Sequence, residues 1–144
     1  MRNIKYIAVH CTAGNQRQKA SDVVFFHTGP VAKGCKGWSA PGYHYIIEAD
    51  GTIVPTWPEE KLSNGVKGFN TVTINVCWIG GIDLSKPGHP AVDNRTEAQK
   101  AAMRRLLSDL HRRYPSAKIL GHRDFPGVNK ACPCFDVKSE FQDL

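Results

Sequence analysis

The 144-residue sequence predicts a single domain of the α/β class. Short segments with strand patterns recur along the chain, and one longer segment has the apolar spacing of an α-helix. The length lies in the usual range of one globular domain, and a chain of this size buries roughly 68% of the surface that its unfolded form exposes. One hydrophobic core is therefore expected, without a framework of disulfides.

Five segments are predicted to be strands. Their apolar residues alternate with polar ones or form short runs rich in β-branched side chains. The segments are residues 4–10, 43–49, 52–55, 71–79 and 118–121. Asp50-Gly51 separates the second segment from the third and is a strong signal for a hairpin, so these two strands are expected to be antiparallel. The fourth segment is expected to form a buried central strand.

The clearest helix is predicted over residues 96–113. Thr96 and Gln99 have the spacing of a capping box, in which each side chain bonds the backbone of the other residue. The apolar side chains recur at helical spacing and should face the core. They are Met103, Leu106, Leu107, Leu110 and Tyr114.

A shorter helix is expected over residues 23–27, with Ser21 or Asp22 as its N-cap. Residues 31–42 are rich in Gly, Lys and Pro and predict a surface loop, for which Trp38 is the expected anchor.

The net charge of +6 favours anionic partners such as nucleic acid, cell-wall polymers or membrane surfaces. The densest basic stretch lies on the long predicted helix, where its spacing indicates a solvated face, so nucleic acid is not expected as a partner. No apolar run approaches the roughly 18 residues of a membrane span. Lys5 and His10 interrupt the N-terminal apolar stretch, so cytoplasmic synthesis without a signal peptide is expected.

Three groups of side chains could carry chemistry, and all are expected at strand ends or in a loop. They are His10 with Cys11, Tyr43 with His44, and His122 with Lys130, Cys132 and Cys134. A catalytic zinc ion takes three protein ligands, commonly histidine with cysteine or carboxylate, and keeps a fourth position for water. Two histidines and one cysteine would suffice, but spacing alone leaves a zinc site and structural histidines equally open. The odd number of cysteines indicates reduced thiols or metal ligands.

Several local sequences narrow this choice. They are IAVHCTA at the first strand, GYHYIIEADGT at the hairpin, KGFN and WIGGID around the central strand, and GHRDFPG and KACPCFD near the C-terminus. In this order they resemble the zinc-dependent N-acetylmuramoyl-L-alanine amidases, in particular the small amidases of bacteriophages, and the related peptidoglycan-recognition proteins. The resemblance implies a central mixed sheet flanked by helices, with zinc in a surface groove. It also implies hydrolysis of the peptidoglycan amide that joins N-acetylmuramic acid to the L-alanine of the stem peptide.

The resemblance further implies roles for individual residues. The zinc ligands that it implies are His10, His122 and Cys132, and the catalytic helpers are Tyr43 and Lys130. A cationic lysine suits the oxyanion of the transition state, and a phenol can donate or relay a proton to the leaving amine. Because Cys134 follows Cys132 so closely, a shift of register could exchange the ligand role between them.

His44 neighbours Tyr43 on a predicted strand and should point to the opposite face, as a packed histidine. The sequence also departs from the family pattern at two places. Gly65-Val66 stands where many relatives have a His-Ala pair, and Asn75 stands where a glycine is common. These departures affect the expected contacts with substrate and leave the expected metal site intact.

Three alternatives remain open. Peptidoglycan-recognition proteins without the zinc cysteine bind the wall but do not cut it, although Cys132 is present here. One type of phage amidase also inhibits the RNA polymerase of its phage, so an interaction protein is the second alternative. A hydrolase with Cys132 or Cys134 as nucleophile and His122 as base would need no metal.

The expectation that we carry forward is a monomer with one zinc ion per chain and peptidoglycan as its partner. Residues 1–144 are expected to form one catalytic domain without a separate wall-binding module. No membrane partner is expected, and the enzyme would act on the cell wall after release or export by another factor.

Overall fold

A five-stranded sheet lies at the centre of the protein, whose computed structural model describes residues 2–144. The strands are β1 (Tyr6–Cys11), β2 (Tyr45–Ile47), β3 (Ile53–Pro55), β4 (Thr73–Trp78) and β5 (Lys118–Gly121). The helices are α1 (Ala20–Thr28), α2 (Glu97–Arg113) and α3 (Val137–Glu140). Short 3₁₀ turns cover Val31–Lys33, Asn70–Val72 and His122–Asp124.

The sheet is mixed and has the order β3-β2-β4-β1-β5. β1 pairs in parallel with β4 and β5, and β2 pairs in parallel with β4. β3 is antiparallel to β2, as the Asp50-Gly51 signal predicts. Gly51 has a φ of +90°, and a Cβ there would lie 2.9 Å from the carbonyl oxygen of Ala98, so glycine suits this turn on both counts. The predicted fold class and the central place of β4 are confirmed.

The two faces of the sheet carry different kinds of side chains, since successive residues of a strand point to opposite faces. On one face, Ile7 and Val9 of β1 and Ile74, Val76 and Trp78 of β4 pack with the apolar stripe of α2 in the main core. The opposite face carries Ala8 and His10 of β1 and Asn75 and Cys77 of β4, all buried. Polar and metal-ligating side chains therefore collect on the face away from α2.

α2 has the predicted bounds and the predicted capping box. The Gln99 N–H donates to the Thr96 hydroxyl oxygen at 3.0 Å, and the Thr96 N–H donates to Gln99 Oε1 at 3.0 Å. Its basic residues lie on a solvated face as interpreted from sequence, and several of them pair with acids: Arg104 Nη1 lies 2.9 Å from Asp143 and Arg113 Nη1 2.7 Å from Glu59. Within residues 2–144, none of the helices is both long enough and apolar enough to cross a membrane.

α1 begins earlier than predicted, and the expected cap is wrong. Lys19 is the N-cap, and Asp22 is the third helical residue, whose carboxylate accepts the Lys19 N–H at 2.9 Å. The acidic side chain thus satisfies a free N–H from inside the first turn rather than from the cap position. Ser21 lies within the helix as well.

β2 is shorter than the predicted 43–49, because Tyr43 and His44 precede its first residue. The Tyr43 carbonyl accepts the Thr56 hydroxyl at 2.7 Å instead of a strand N–H. The His44 N–H still donates to the Asn75 carbonyl at 2.9 Å, so this segment stays fixed to β4.

Candidate metal centre

β1 and β5 end at the same edge of the sheet, and this brings two histidines together. Their parallel register places Val9 opposite Gly121. His10 follows the first of these residues and His122 follows the second, so the two side chains become neighbours with ring centroids 4.6 Å apart. The strand pairing thus brings together two histidines that are more than a hundred residues apart in the sequence.

Cys132 completes the cluster from the irregular segment after β5. One ligand atom each of His10, His122 and Cys132 lies within 4.8 Å of the others. The segment is held in place by the Arg123 N–H, which donates to the Cys132 carbonyl at 3.0 Å. The Cys11 N–H donates to Cys132 Sγ at 3.2 Å, so the end of β1 also contacts the sulfur.

The protonation of the three side chains suits a metal ion. Burial, and then the neighbouring His122, lowers the pKa of His10 to about 3. Burial and the charge of Lys130 also lower the pKa of His122. The pKa of the Cys132 thiol lies below its usual value, first because Cys11 bonds to it and despite its burial. Two neutral imidazoles and a cysteine with enhanced thiolate character are ligands that Zn²⁺ prefers, and three ligands leave a position open.

Cys134 lies outside this cluster. Its Sγ is 3.7 Å from Cys11 Sγ and 3.4 Å from the carbonyl oxygen of Gly81, to which it donates. Burial raises its pKa to about 12. The geometry therefore favours Cys132 over Cys134 as the ligand.

Both residues predicted to assist catalysis are next to the cluster. The Tyr43 ring centroid is 5.1 Å from that of His10. Burial, and then the nearby Cys77 and Cys132 thiols, raises the pKa of the Tyr43 phenol, so it stays protonated near neutral pH. Lys130 is exposed two residues before Cys132, and its charge lowers the pKa values of both histidines.

A second layer of polar residues was not predicted from the sequence. His10 Nε2 lies 2.8 Å from Asn75 Oδ1, and Asn75 Nδ2 donates to Ser63 Oγ at 2.8 Å. Ser63 in turn lies 3.2 Å from His44 Nδ1, and His44 is fully buried, as expected of a packed histidine. The only signal in the sequence is a polar asparagine within a run of β-branched residues.

The two departures from the family pattern are in contact. A Cβ at position 65 would lie 2.2 Å from the Asn75 side-chain amide, which is closer than any side chain can approach. The absence of a side chain at Gly65 and the presence of one at Asn75 are thus one structural feature.

One cavity adjoins the cluster and a second adjoins its neighbour Tyr43. A groove of about 730 Å³ is bordered by Trp38, Lys67, His122 and Lys130 among others. A smaller cavity of about 250 Å³ is bordered by Thr12, His27 and Tyr43 among others. The predicted anchoring role of Trp38 agrees with its stacking on His27, at 5.0 Å between ring centroids.

Comparisons with known proteins agree in the family that they indicate. The model of the N-acetylmuramoyl-L-alanine amidase family matches residues 1–135. The endolysin of Escherichia phage T7 is 36% identical over 134 residues, which cover 92% of this chain and 82% of that endolysin. The endolysin of Klebsiella phage KP32 is 41% identical over 103 residues, which are 72% of this chain and 65% of that endolysin. The chain thus spans slightly less than two thirds of this relative.

A solved structure extends the likeness to the fold. The endolysin of bacteriophage Ph2119 from Thermus scotoductus MAT2119 superimposes with a TM-score of 0.73 and 30% sequence identity. The superposition covers 91% of this chain and 77% of the phage protein.

Proposed function

Because the chain belongs to the N-acetylmuramoyl-L-alanine amidase family, we propose that it is a zinc-dependent hydrolase of peptidoglycan. Its reaction would cleave the amide between N-acetylmuramic acid and the L-alanine of the stem peptide. The observation that carries this proposal is the convergence of ligand atoms from His10, His122 and Cys132 within 4.8 Å. The family resemblance seen in the sequence motifs is confirmed.

The groove beside the cluster supports a polymeric, anionic substrate. Lys67 and Lys130 border it, and the chain carries a net charge of +6. Cationic clefts concentrate anionic ligands, and carboxylates of a stem peptide are ligands of this kind. Trp38 borders the same groove and offers an aromatic surface for the apolar faces of a sugar or peptide.

His10, His122 and Cys132 would hold the zinc ion. When bound, zinc supplies a Lewis acid that polarises the scissile carbonyl and makes water a competent nucleophile near neutral pH. Lys130 would place its ammonium group against the negative charge that develops on the carbonyl oxygen. Tyr43 holds a phenolic proton, because its pKa is raised, and would donate this proton to the departing amine.

Digestion of purified peptidoglycan tests the proposal. We expect new L-alanine amines without new reducing sugars, and about one zinc ion per chain by metal analysis. Cys132→Ala should lose both zinc and activity. Cys134→Ala is the matched control, since it removes a thiol two residues away that lies outside the cluster, and it should keep both.

Two outcomes would refute the proposal. New reducing ends would mean that a glycosidic bond is cut instead. Full activity after removal of metal by a chelator would favour a cysteine nucleophile paired with His122, which needs no metal.

A further inference from the structure

A chain of hydrogen bonds leads from the backbone near His44 to the candidate ligand His10. We propose that this series of hydrogen bonds fixes the tautomer of His10, so that Nε2 carries the proton and Nδ1 is free to bind the metal. Asn75 is the positioning residue, and Gly65 provides the space that Asn75 occupies. The inference rests on the zinc site of the proposed function and adds to it a group that selects the coordinating atom.

The series of hydrogen bonds starts at His44, whose tautomer is set by its bonds to backbone groups. Its Nε2 lies 2.8 Å from the carbonyl oxygen of Lys61, which can only accept, so Nε2 carries a proton. Its Nδ1 receives the backbone N–H of Asn75 at 3.0 Å, so Nδ1 carries a lone pair. Arg2 Nη2 lies 3.2 Å from Nε2, but its two N–H groups have carbonyl acceptors in Glu59 at 2.8 Å and Thr73 at 3.3 Å. His44 is therefore a neutral imidazole with one defined tautomer.

The hydroxyl of Ser63 links His44 to Asn75 and determines the orientation of the Asn75 amide. Ser63 Oγ lies 3.2 Å from His44 Nδ1, which has no proton, so the hydroxyl proton points toward His44 and shares the Nδ1 lone pair with the Asn75 N–H. The lone pairs of Ser63 Oγ then accept Asn75 Nδ2 at 2.8 Å. The reverse orientation of the amide would turn the hydroxyl proton toward Asn75 and set lone pairs of Ser63 and His44 against each other. The amide of Asn75 is thus fixed with its oxygen toward His10.

The last bond defines the state of His10. Asn75 Oδ1 lies 2.8 Å from His10 Nε2, and an amide oxygen can only accept. The proton of the neutral imidazole therefore lies on Nε2, and the lone pair lies on Nδ1. Hydrogen-bond partners of this kind orient metal-ligating histidines, and their loss typically costs 10- to 100-fold in metal affinity.

Gly65 leaves the space that the side chain of Asn75 occupies. A Cβ at this position would lie 2.2 Å from both Cγ and Oδ1 of Asn75 and 2.5 Å from Nδ2. Asn75 is fully buried, and its amide is held by hydrogen bonds to His10 on one side and Ser63 on the other. A side chain at position 65 would therefore displace the atom that accepts the His10 proton.

The experiment compares substitutions of Asn75 with a control on the same strand. Asn75→Leu keeps the volume but removes the acceptor, and it should lower zinc affinity about 10- to 100-fold in competition with a chelator. Asn75→Asp keeps an acceptor toward His10 and should restore most of the affinity. Thr73→Val is the control, because Thr73 is equally buried on β4 and donates to the Phe69 carbonyl at 2.7 Å, away from His10. It should keep the affinity of the wild type.

A second readout needs no metal. The ¹⁵N chemical shifts of His10 in the metal-free protein report which ring nitrogen is protonated. We expect Nε2–H in the wild type and a mixture of tautomers in Asn75→Leu. Ser63→Ala retains Asn75 but removes the group that orients its amide, so it should also give a mixture, and it tests the inference even if Asn75→Leu does not fold. Gly65→Ala should weaken zinc binding when it is the only substitution. In a protein that already carries Asn75→Ala, it should add little to the loss of zinc affinity, because the amide with which it would clash is absent.

Wild-type zinc affinity in Asn75→Leu, together with an unchanged His10 tautomer, would overturn the inference and leave the proposed function intact. A wild-type protein that binds no zinc would refute the proposed metal site. In that case the ¹⁵N shifts would still decide whether Asn75 sets the tautomer.

Discussion

Glu59 connects three parts of the fold through its carboxylate, and its replacement gives a quantitative test of the structure. Both oxygens accept from the Arg113 guanidinium, at 2.7 and 2.9 Å. The Tyr114 hydroxyl donates to Oε1 at 2.6 Å, and the Tyr45 hydroxyl donates to Oε2. Glu59, four residues after the end of β3, is thereby joined to the end of α2 and to β2. We predict that Glu59→Gln destabilises the protein in a way that depends on pH.

The size of the effect follows from the pKa of Glu59. Burial by itself raises this pKa, but the hydrogen bonds from Arg113, Tyr114 and Tyr45 together outweigh burial and lower it from 4.5 to about 2. At about 1.4 kcal/mol per pH unit, this difference corresponds to about 3 kcal/mol. The side chain is 13% exposed and its Arg113 partner is 37% exposed, so solvent screening reduces the expected contribution to about 1–2 kcal/mol.

The sign follows because the folded protein has the lower pKa. The stabilisation is complete above about pH 4.5, where the carboxylate is ionised in the folded and the unfolded chain alike. It is lost as the pH falls toward about 2, where both states bind the proton. The wild type should therefore lose its advantage over Glu59→Gln within this window.

Urea unfolding at pH 6 and at several lower values measures this difference. Glu59→Gln should lower the free energy of unfolding by about 1–2 kcal/mol at pH 6, and the difference from the wild type should shrink as the pH falls. Glu60→Gln is the matched control, because it removes the same charge from the adjacent exposed residue and should change stability by less than about 0.5 kcal/mol. Equal effects of the two variants at pH 6, or a difference that stays constant down to pH 2, would refute the reasoning.

Two further predictions concern the site and the core. Lys130→Ala should slow turnover of peptidoglycan about 10²- to 10³-fold and keep its zinc, since an oxyanion donor acts on the transition state alone; loss of zinc on metal analysis would contradict that role. Leu107→Ala truncates a fully buried side chain of α2 and should lower the free energy of unfolding by about 2–5 kcal/mol in urea. An unchanged unfolding midpoint would be inconsistent with the core described for this helix.

Elements specified by local signals were predictable from the sequence. The bounds of α2 agree with those predicted from the capping pair of Thr96 and Gln99 and from the apolar spacing that follows it. Both signals act within a few turns of the helix. The hairpin at Asp50-Gly51 was predictable for the same reason. α1 was placed less well, because Asp22 can bond a free N–H from the cap or from the third helical position, and sequence alone does not choose between them.

The candidate site was predictable in its members but not in its assembly. His10 and His122 were recognisable as residues at strand ends, and family motifs added Cys132. Their convergence depends on the parallel pairing of β1 with β5, which no local pattern encodes. The link from Asn75 to His10 depends further on the register of β4 against β1, where Asn75 stands opposite Ala8. Interactions of this kind depend on tertiary contacts between residues that are distant in sequence.

The mutual exclusion of a side chain at position 65 and an amide at position 75 also has an evolutionary consequence. Single substitutions lead from one arrangement to the other only through a sequence with a small residue at both positions, because a Cβ at position 65 would lie 2.2 Å from the amide of Asn75. The residues that positions 65 and 75 can hold together are therefore coupled by space. Recombination between Gly65 and Asn75 with a relative that has histidine first and glycine second would join incompatible halves, leaving either a clash or a void beside His10.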